Sequence, residues 1–310
     1  MNKIKMAYVQ FKNLLARSKY LDNWYSFYLV YFKIKKFSKI KFKDSITVNV
    51  YANNLSNFYF AEILYASKDP KMIELLNSLE NEINKKGNFV ISFANRLWYI
   101  DRNYMIDSLH DIFQDKNEPK TFKIFSNIKG KLFVNVGANC GGYACRGDNF
   151  EKIVAIEPSK VFSILRKNCE LNKIKNIKLL NKAIWSKKGK LKLYEIHTSL
   201  GILSGSSTLS PESMGTEDIS YNKSYSVMVD TLDNVLKNEK EVDLLLIDAE
   251  NAEYEILVGG KNTLKKTKRV IIEVRKNTEY LVKQVLRHNG FKIKILDKSN
   301  DSKNIYGFRD

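Results

Sequence analysis

Histidine and cysteine are scarce in this 310-residue chain, three of each. His110, His197 and His288 are scattered, which argues against a histidine-based metal site. Cys140, Cys145 and Cys169 make an odd set without metal-like spacing, and no secretory leader is read ahead of them. The expectation is a reduced, cytoplasmic protein. Long apolar runs are missing too: the aromatic stretch Trp24 to Phe32 falls short of the roughly 20 residues needed to cross a bilayer. Acidic residues nearly vanish from positions 1–45, where two Asp face eleven Lys or Arg. That segment carries half of the formal charge of +18 and favours anionic partners, an acidic membrane surface before nucleic acid.

What is present is ordinary material for a core, with hydrophobic residues at 44%. Residues 1 to about 43 read as helical, from Ile4, Tyr8, Phe11 and Leu15 at helix spacing. From Ser45 the period becomes two, and Asn53-Asn54 signals a turn. A helix is expected over 71–86, a hairpin over 89–100 and a short helix over 104–114. Strands are expected at 131–136, 151–156, 177–184, 242–247, 268–274, 291–296 and 303–308, with helices at 159–172, 252–264 and 277–289. This alternation predicts an α/β fold: a mostly parallel seven-stranded sheet ending in an antiparallel hairpin, preceded by a small α+β region. The expected divisions are 1–44, 45–128 and 129–310. The Ser- and Gly-rich stretch from His197 to Lys223 reads as a flap facing a substrate.

Two stretches carry chemistry. In the first, a buried strand (Leu132 to Val136) breaks into Gly137-Ala138-Asn139-Cys140-Gly141-Gly142, and a following helix is expected to present free N–H groups. The next strand ends on Glu157, twenty positions after Gly137, where its carboxylate can accept from both hydroxyls of a ribose. Together they make a nucleoside-binding half-site. In the second, the apolar run Leu244 to Ile247 delivers Asp248 to the carboxyl edge of the sheet, where ligands bind in this fold class. Asp248 is placed to hold a cation or take a proton. Glu250 follows in the turn, Glu253 doubles as a cap of the next helix, and Glu273 ends the neighbouring strand. Three carboxylates are hard oxygen donors, but Asp248, Glu250 and Glu273 match no metal motif, and no metal is expected.

With those residues in view, the sequence resembles the FkbM-type methyltransferases, S-adenosylmethionine-dependent enzymes of the class I methyltransferase fold. The likeness runs through Asn135 to Tyr143, Glu157-Pro158, Asn168 with Asn172, Asn181 with Ala183, Thr231-Leu232-Asp233, and Ile247, Asp248, Glu250, Ala252 and Glu253. It covers roughly residues 105–309. Three positions depart from the family pattern. Asn135 replaces the usual acid, Leu246 a lysine, and Asn251 a glycine whose positive φ asparagine tolerates better than most residues.

The resemblance implies methyl transfer from S-adenosylmethionine to a hydroxyl, most readily of a sugar, glycan or glycolipid. It places Asn135, Gly137, Ala138, Asn139, Gly141, Glu157, Asn181, Ala183 and Asp248 around the cofactor, with Asp248 and then Glu250 as the base. A nicotinamide-dependent oxidoreductase, using the same glycine turn and Glu157, is one alternative. A catalytically impaired methyltransferase fold that binds nucleic acid or membrane through its basic N-terminus is the other.

Overall fold

The structure is a computed structural model and describes residues 16–52, 55–85, 87–198, 201–209, 223–299 and 301–309. The periodic positions Ile4 to Leu15 and the Asn53-Asn54 turn lie outside them. The chain clusters into two units. One comprises Met1–Ile91, Ile100–Ile106 and His197–Ile202; the other comprises Ser92–Tyr99, Asp107–Ile196 and Leu203–Asp310.

In the first unit the aromatic run forms a helix, Trp24–Tyr31, that buries Phe27, Tyr28 and Val30. The expectation of helix to about residue 43 is corrected here. β1 (Phe37–Lys41) is a strand, paired antiparallel with β2 (Thr47–Tyr51) so that Ile40 faces Val48. Buried Ile40 sits between Lys39 and Lys41, a period of two that the crowd of lysines masked. The expected helix over 71–86 is two, Pro70–Ser78 and Glu80–Asn84, broken at Leu79. The first starts with Pro70 at N1 and an Asp69 carboxylate accepting from the Lys71 N–H at 3.0 Å. A further helix, Ser56–Ala66, was not foreseen. Its Glu62 takes two hydrogen bonds from Arg17, at 2.8 and 3.0 Å. The expected hairpin is present as β3 (Phe89–Phe93) and β4 (Arg96–Ile100), turned at Ala94 and Asn95 with φ of 51° and 57°.

The second unit is built on strands of which the central ones, over residues 132–136 and 244–247, are buried without interruption, as in a sheet covered on both faces. In chain order the strands of the unit are β5 (Gly130–Val136), β6 (Phe150–Ile156), β7 (Ile177–Leu180), β8 (Ala183–Ile184), β9 (Gly189–Thr198), β10 (Gly201–Thr208), β11 (Lys223–Asp230), β12 (Leu244–Ile247), β13 (Arg269–Arg275), β14 (Lys292–Lys298) and β15 (Ser302–Phe308). Seven of them form one sheet in the order β14-β15-β13-β12-β5-β6-β7. Neighbours from β13 to β7 are parallel, while β15 runs antiparallel to both β13 and β14, as expected. Val134, Val136, Leu245, Ile247 and Ile272 pack on one face; Phe133, Leu244, Leu246 and Ile271 pack with Phe125 and Phe150 on the other.

Three expectations change in this unit. The single strand over 177–184 divides, and β8 leaves to join a second sheet, β10-β9-β11-β8. The helix over 252–264 divides into Glu253–Val258 and Lys261–Lys265. The stretch read as a flap contains strand β10, and its residues 199–200 and 210–222 lie outside those described.

Candidate functional site

The site grows from the places where β5, β6, β12 and β13 end. β5 stops at Val136, and the Gly137 and Ala138 N–H groups both donate to the Ile156 carbonyl, at 2.9 and 3.0 Å. Gly137 has φ of 79°, and a Cβ on it would lie 1.7 Å from the Asp248 carbonyl oxygen. Only glycine lets the ends of β5 and β12 close up in this way. Asn139 (φ 47°) and Gly141 (φ 104°) complete the reversal.

The helix expected after this turn is corrected to one 3₁₀ turn, Ala144–Arg146. Only residues 137–149 lie between β5 and β6, and their glycines resist a longer helix. The loop's N–H groups therefore find carboxylates. Asn139 donates to Glu157 Oε2 at 2.9 Å, and Gly142 donates to Asp111 Oδ2 at 2.8 Å. Glu157 Oε1 accepts from the Ser159 N–H at 2.8 Å. Burial raises the Glu157 carboxyl, and these hydrogen bonds work against the rise.

Several residues in the matching motifs act on backbone instead. Asn172 exchanges two hydrogen bonds with Leu97, accepting from its N–H at 2.9 Å and donating to its carbonyl at 2.7 Å, as a neighbouring strand would. Asn168 accepts from the Tyr99 N–H and donates to the Cys140 carbonyl. Thr231 caps the short helix Leu232–Val235, and Asp233 accepts from the Asn262 and Thr263 N–H groups. Glu253, nearly inaccessible, accepts from the Asn251 N–H at 3.0 Å, and burial lifts its carboxyl to about 7.

Across the crevice the balance is reversed. Asp248, Glu250 and Glu273 each offer an oxygen, all within 4.8 Å of one another. The turn that brings them together holds Glu250 at φ 48° and Asn251 at φ 73°, so the asparagine takes up the positive φ expected of it. Burial, then Glu273 and Glu250, push Asp248 well above the usual carboxylate range. Glu250 rises to about 8 through burial and Glu273, although Arg275 opposes the shift. Arg275 Nε donates to Glu250 at 3.0 Å. Glu118, a residue from outside both motifs, rises to about 7 through burial and Glu273, and it accepts from the Tyr143 hydroxyl at 3.0 Å. Such a group of carboxylates beside one guanidinium is short of positive charge and suits a cationic ligand, organic or divalent.

One cavity joins the two halves. Of the residues singled out from sequence, Asn135, Gly137, Ala138, Asn139, Glu157, Ala183, Asp248 and Glu250 line it, and Glu273 does too. Gly141 and Asn181 do not. Gly141 packs against Cys145 and Leu165, while the Asn181 amide donates to the Glu157 carbonyl at 2.9 Å and so steadies the loop from behind. Sequence reasoning missed His110, Asp111, Gln114, Glu118, Lys182 and Arg275 in the lining. For Arg275 a signal existed, since it shares a strand face with Glu273 two positions earlier. Gly205, Ser207 and Leu209 also line the cavity, so part of the presumed flap does face it. The Asn139 Oδ1 and Ser207 Oγ atoms are buried without a hydrogen-bond partner, as is Gln114 Oε1. All three residues line the cavity.

A family model described as the methyltransferase FkbM domain matches residues 135–293. No curated protein is similar enough to the chain to count as a match. Among solved structures, similarity extends to a methyltransferase FkbM from Methylobacillus flagellatus KT, at 13% identity and a TM-score of 0.41. That match covers 82% of this chain, which spans 59% of the other's length. A precorrin-6y C5,15-methyltransferase from Geobacter metallireducens GS-15 is similar at 10% identity and a TM-score of 0.39, covering 61% of this chain and 86% of that one. M. jannaschii TYW2 in complex with AdoMet is similar at 12% identity and a TM-score of 0.37, covering 72% and 86%.

Proposed function

From a chain that belongs to the FkbM methyltransferase domain family, we propose an S-adenosylmethionine-dependent O-methyltransferase whose acceptor is a hydroxyl of a sugar, glycan or lipid-linked sugar. The observation that carries this reading is the pairing, around one cavity, of the Glu157 carboxylate with a cluster short of positive charge. The residues suit the cofactor's parts. Each Glu157 oxygen accepts one backbone N–H and keeps capacity for a ribose hydroxyl. Ala183, Ile184 and Leu193 offer an apolar wall for a flat base. Asn139 Oδ1 is an acceptor in want of a donor.

When bound, S-adenosylmethionine supplies a methyl group already activated on a sulfonium. The remaining work falls to the protein: holding the acceptor oxygen in line and removing its proton. Asp248, with Glu250 behind it, is the base in this reading. In the free protein both carboxyls are raised by burial and by their acidic neighbours, Glu250 to about 8. A positive charge beside them favours the ionised form, so Asp248 sheds its proton as the cavity fills and becomes able to accept one from the acceptor hydroxyl. Asn135 in place of an acid removes one negative charge from the crevice, and the Asp248–Glu250–Glu273 group supplies what is left.

Titration with labelled S-adenosylmethionine and, in parallel, with NAD tests the cofactor. Saturable binding of the first alone is expected, and binding of NAD alone overturns the reading. Mass spectrometry of glycan and lipid extracts, with and without the protein, tests the acceptor. One added methyl on a saccharide is expected, whereas methylation confined to protein or RNA would remove the hydroxyl assignment.

A further inference from the structure

Between Asp22 and Asp44 the first unit contains no acidic residue, yet six lysines, Lys33, Lys35, Lys36, Lys39, Lys41 and Lys43. The helix Trp24–Tyr31 turns Phe27 inward, 4.0 Å from the Phe58 ring centre, and leaves Tyr25 exposed. Directly after it the chain reverses at Lys33, with φ of 60°. Every residue from 32 to 37 is exposed. Phe32 is 52% accessible, Ile34 70% and Phe37 41%, and Lys33, Lys35 and Lys36 lie between them. Tyr51 extends the apolar patch, its ring centre 5.0 Å from that of Phe37. Leaving large apolar side chains in water forgoes the free energy of burying them. Clustered on a loop tip, they mark an interaction surface.

We propose that the loop of residues 32–37 docks on the surface of an anionic lipid bilayer. Phe32, Ile34 and Phe37 enter the interface while the lysines meet headgroup phosphates. Charge alone would suit nucleic acid equally well, and the side chains decide between them. The most exposed of the apolar side chains, Ile34, can neither stack on a base nor bond a phosphate, but it gains by leaving water for acyl chains. The stretch from Trp24 to Lys43 has no arginine, and Arg17, before it, is held by Glu62. Among the described residues no helix is long and apolar enough to cross a membrane, so the contact is peripheral.

The test is co-sedimentation of the full chain with vesicles of phosphatidylcholine alone or enriched in phosphatidylglycerol. Binding to the anionic vesicles only, weakened by salt, is expected. Replacing Lys35 and Lys36 by glutamine should lower partitioning about 25-fold, roughly fivefold per lysine. Ile34→Ser should lower it about tenfold at unchanged charge and unchanged melting temperature. Failure to bind anionic vesicles overturns the proposal, as does binding that Ile34→Ser leaves untouched. Fluorescence anisotropy with single-stranded RNA completes it. RNA binding that needs the lysines, ignores Ile34 and competes with vesicles would assign the surface to nucleic acid instead.

Discussion

The glycine turn after β5 and the acidic turn after β12 meet at one cavity but are built on opposite terms. In the first, each oxygen of Glu157 accepts a backbone N–H, and Asp111 accepts from Gly142, so the loop's polar groups are largely satisfied before any ligand arrives. In the second, Asp248, Glu250 and Glu273 crowd together with Arg275 as the nearby cation, and burial with like charge raises the carboxyls of Asp248 and Glu250. A satisfied half fixes shape, and a frustrated half waits for charge. Under the proposed function, the first half takes a nucleoside without rearrangement and the second changes its protonation as the cation arrives.

The comparison is easiest to break at Asp248. If it is the base, Asp248→Asn should lower kcat by about 10²–10⁴-fold while cofactor affinity moves far less, as steady-state rates and a binding titration would reveal. Equal losses in both would return Asp248 to a binding role. On the other side, Gly137→Ala would force a Cβ into the Asp248 carbonyl and into a positive φ. We expect a loss of about 3 kcal/mol or more in unfolding free energy, read by denaturant titration. A near-wild-type midpoint would mean that the strand ends are free to part.

Smaller effects sharpen the contrast. Glu157→Gln should weaken S-adenosylmethionine by about 1.5–3 kcal/mol, the scale of hydrogen bonds to a charged group, without changing the pH dependence of binding. Glu250→Gln should do the reverse, with modest loss of affinity and a flatter pH profile. The sign follows from the raised carboxyls: a cation that lowers them must release protons, so affinity should climb as pH rises toward about 8 and level off above it. Calorimetry in buffers of different ionisation enthalpy measures that release. Stability should run the other way. The raised folded-state carboxyls of Glu118, near 7, and Glu250, near 8, stabilise fully below the ordinary carboxylate range, and the benefit fades as pH passes through those values. A melting temperature that rises between pH 6 and pH 8.5 would contradict it.

How much of this was legible beforehand depends on whether a residue's partners are local. Gly137, Glu157 and Asp248 were readable because a strand end and the turn after it are written in a few consecutive residues. The lysine-rich β1 was misread as helix because one buried side chain, Ile40, leaves too faint an alternation beside its lysines. The helix expected after Gly142 shrank to a single 3₁₀ turn, since the short span between β5 and β6 and the glycines within it leave little that can be helical. Asn172 showed in the sequence as a motif, but its role as a stand-in for a strand appears only beside Leu97.

The sequence by itself determined the chain order of the seven strands of the main sheet, the two turns that end β5 and β12, and the uneven charge of residues 1–45, because each follows from short-range periodicity, backbone freedom or simple composition. Tertiary structure alone decided that Glu118 joins Asp248, Glu250 and Glu273, that Arg275 reaches Glu250, and that Asp111 holds the glycine loop. Those meetings span from about two dozen to well over a hundred positions of chain. The raised carboxyls come from burial and mutual repulsion, quantities that exist only once distant segments have excluded water from a common space.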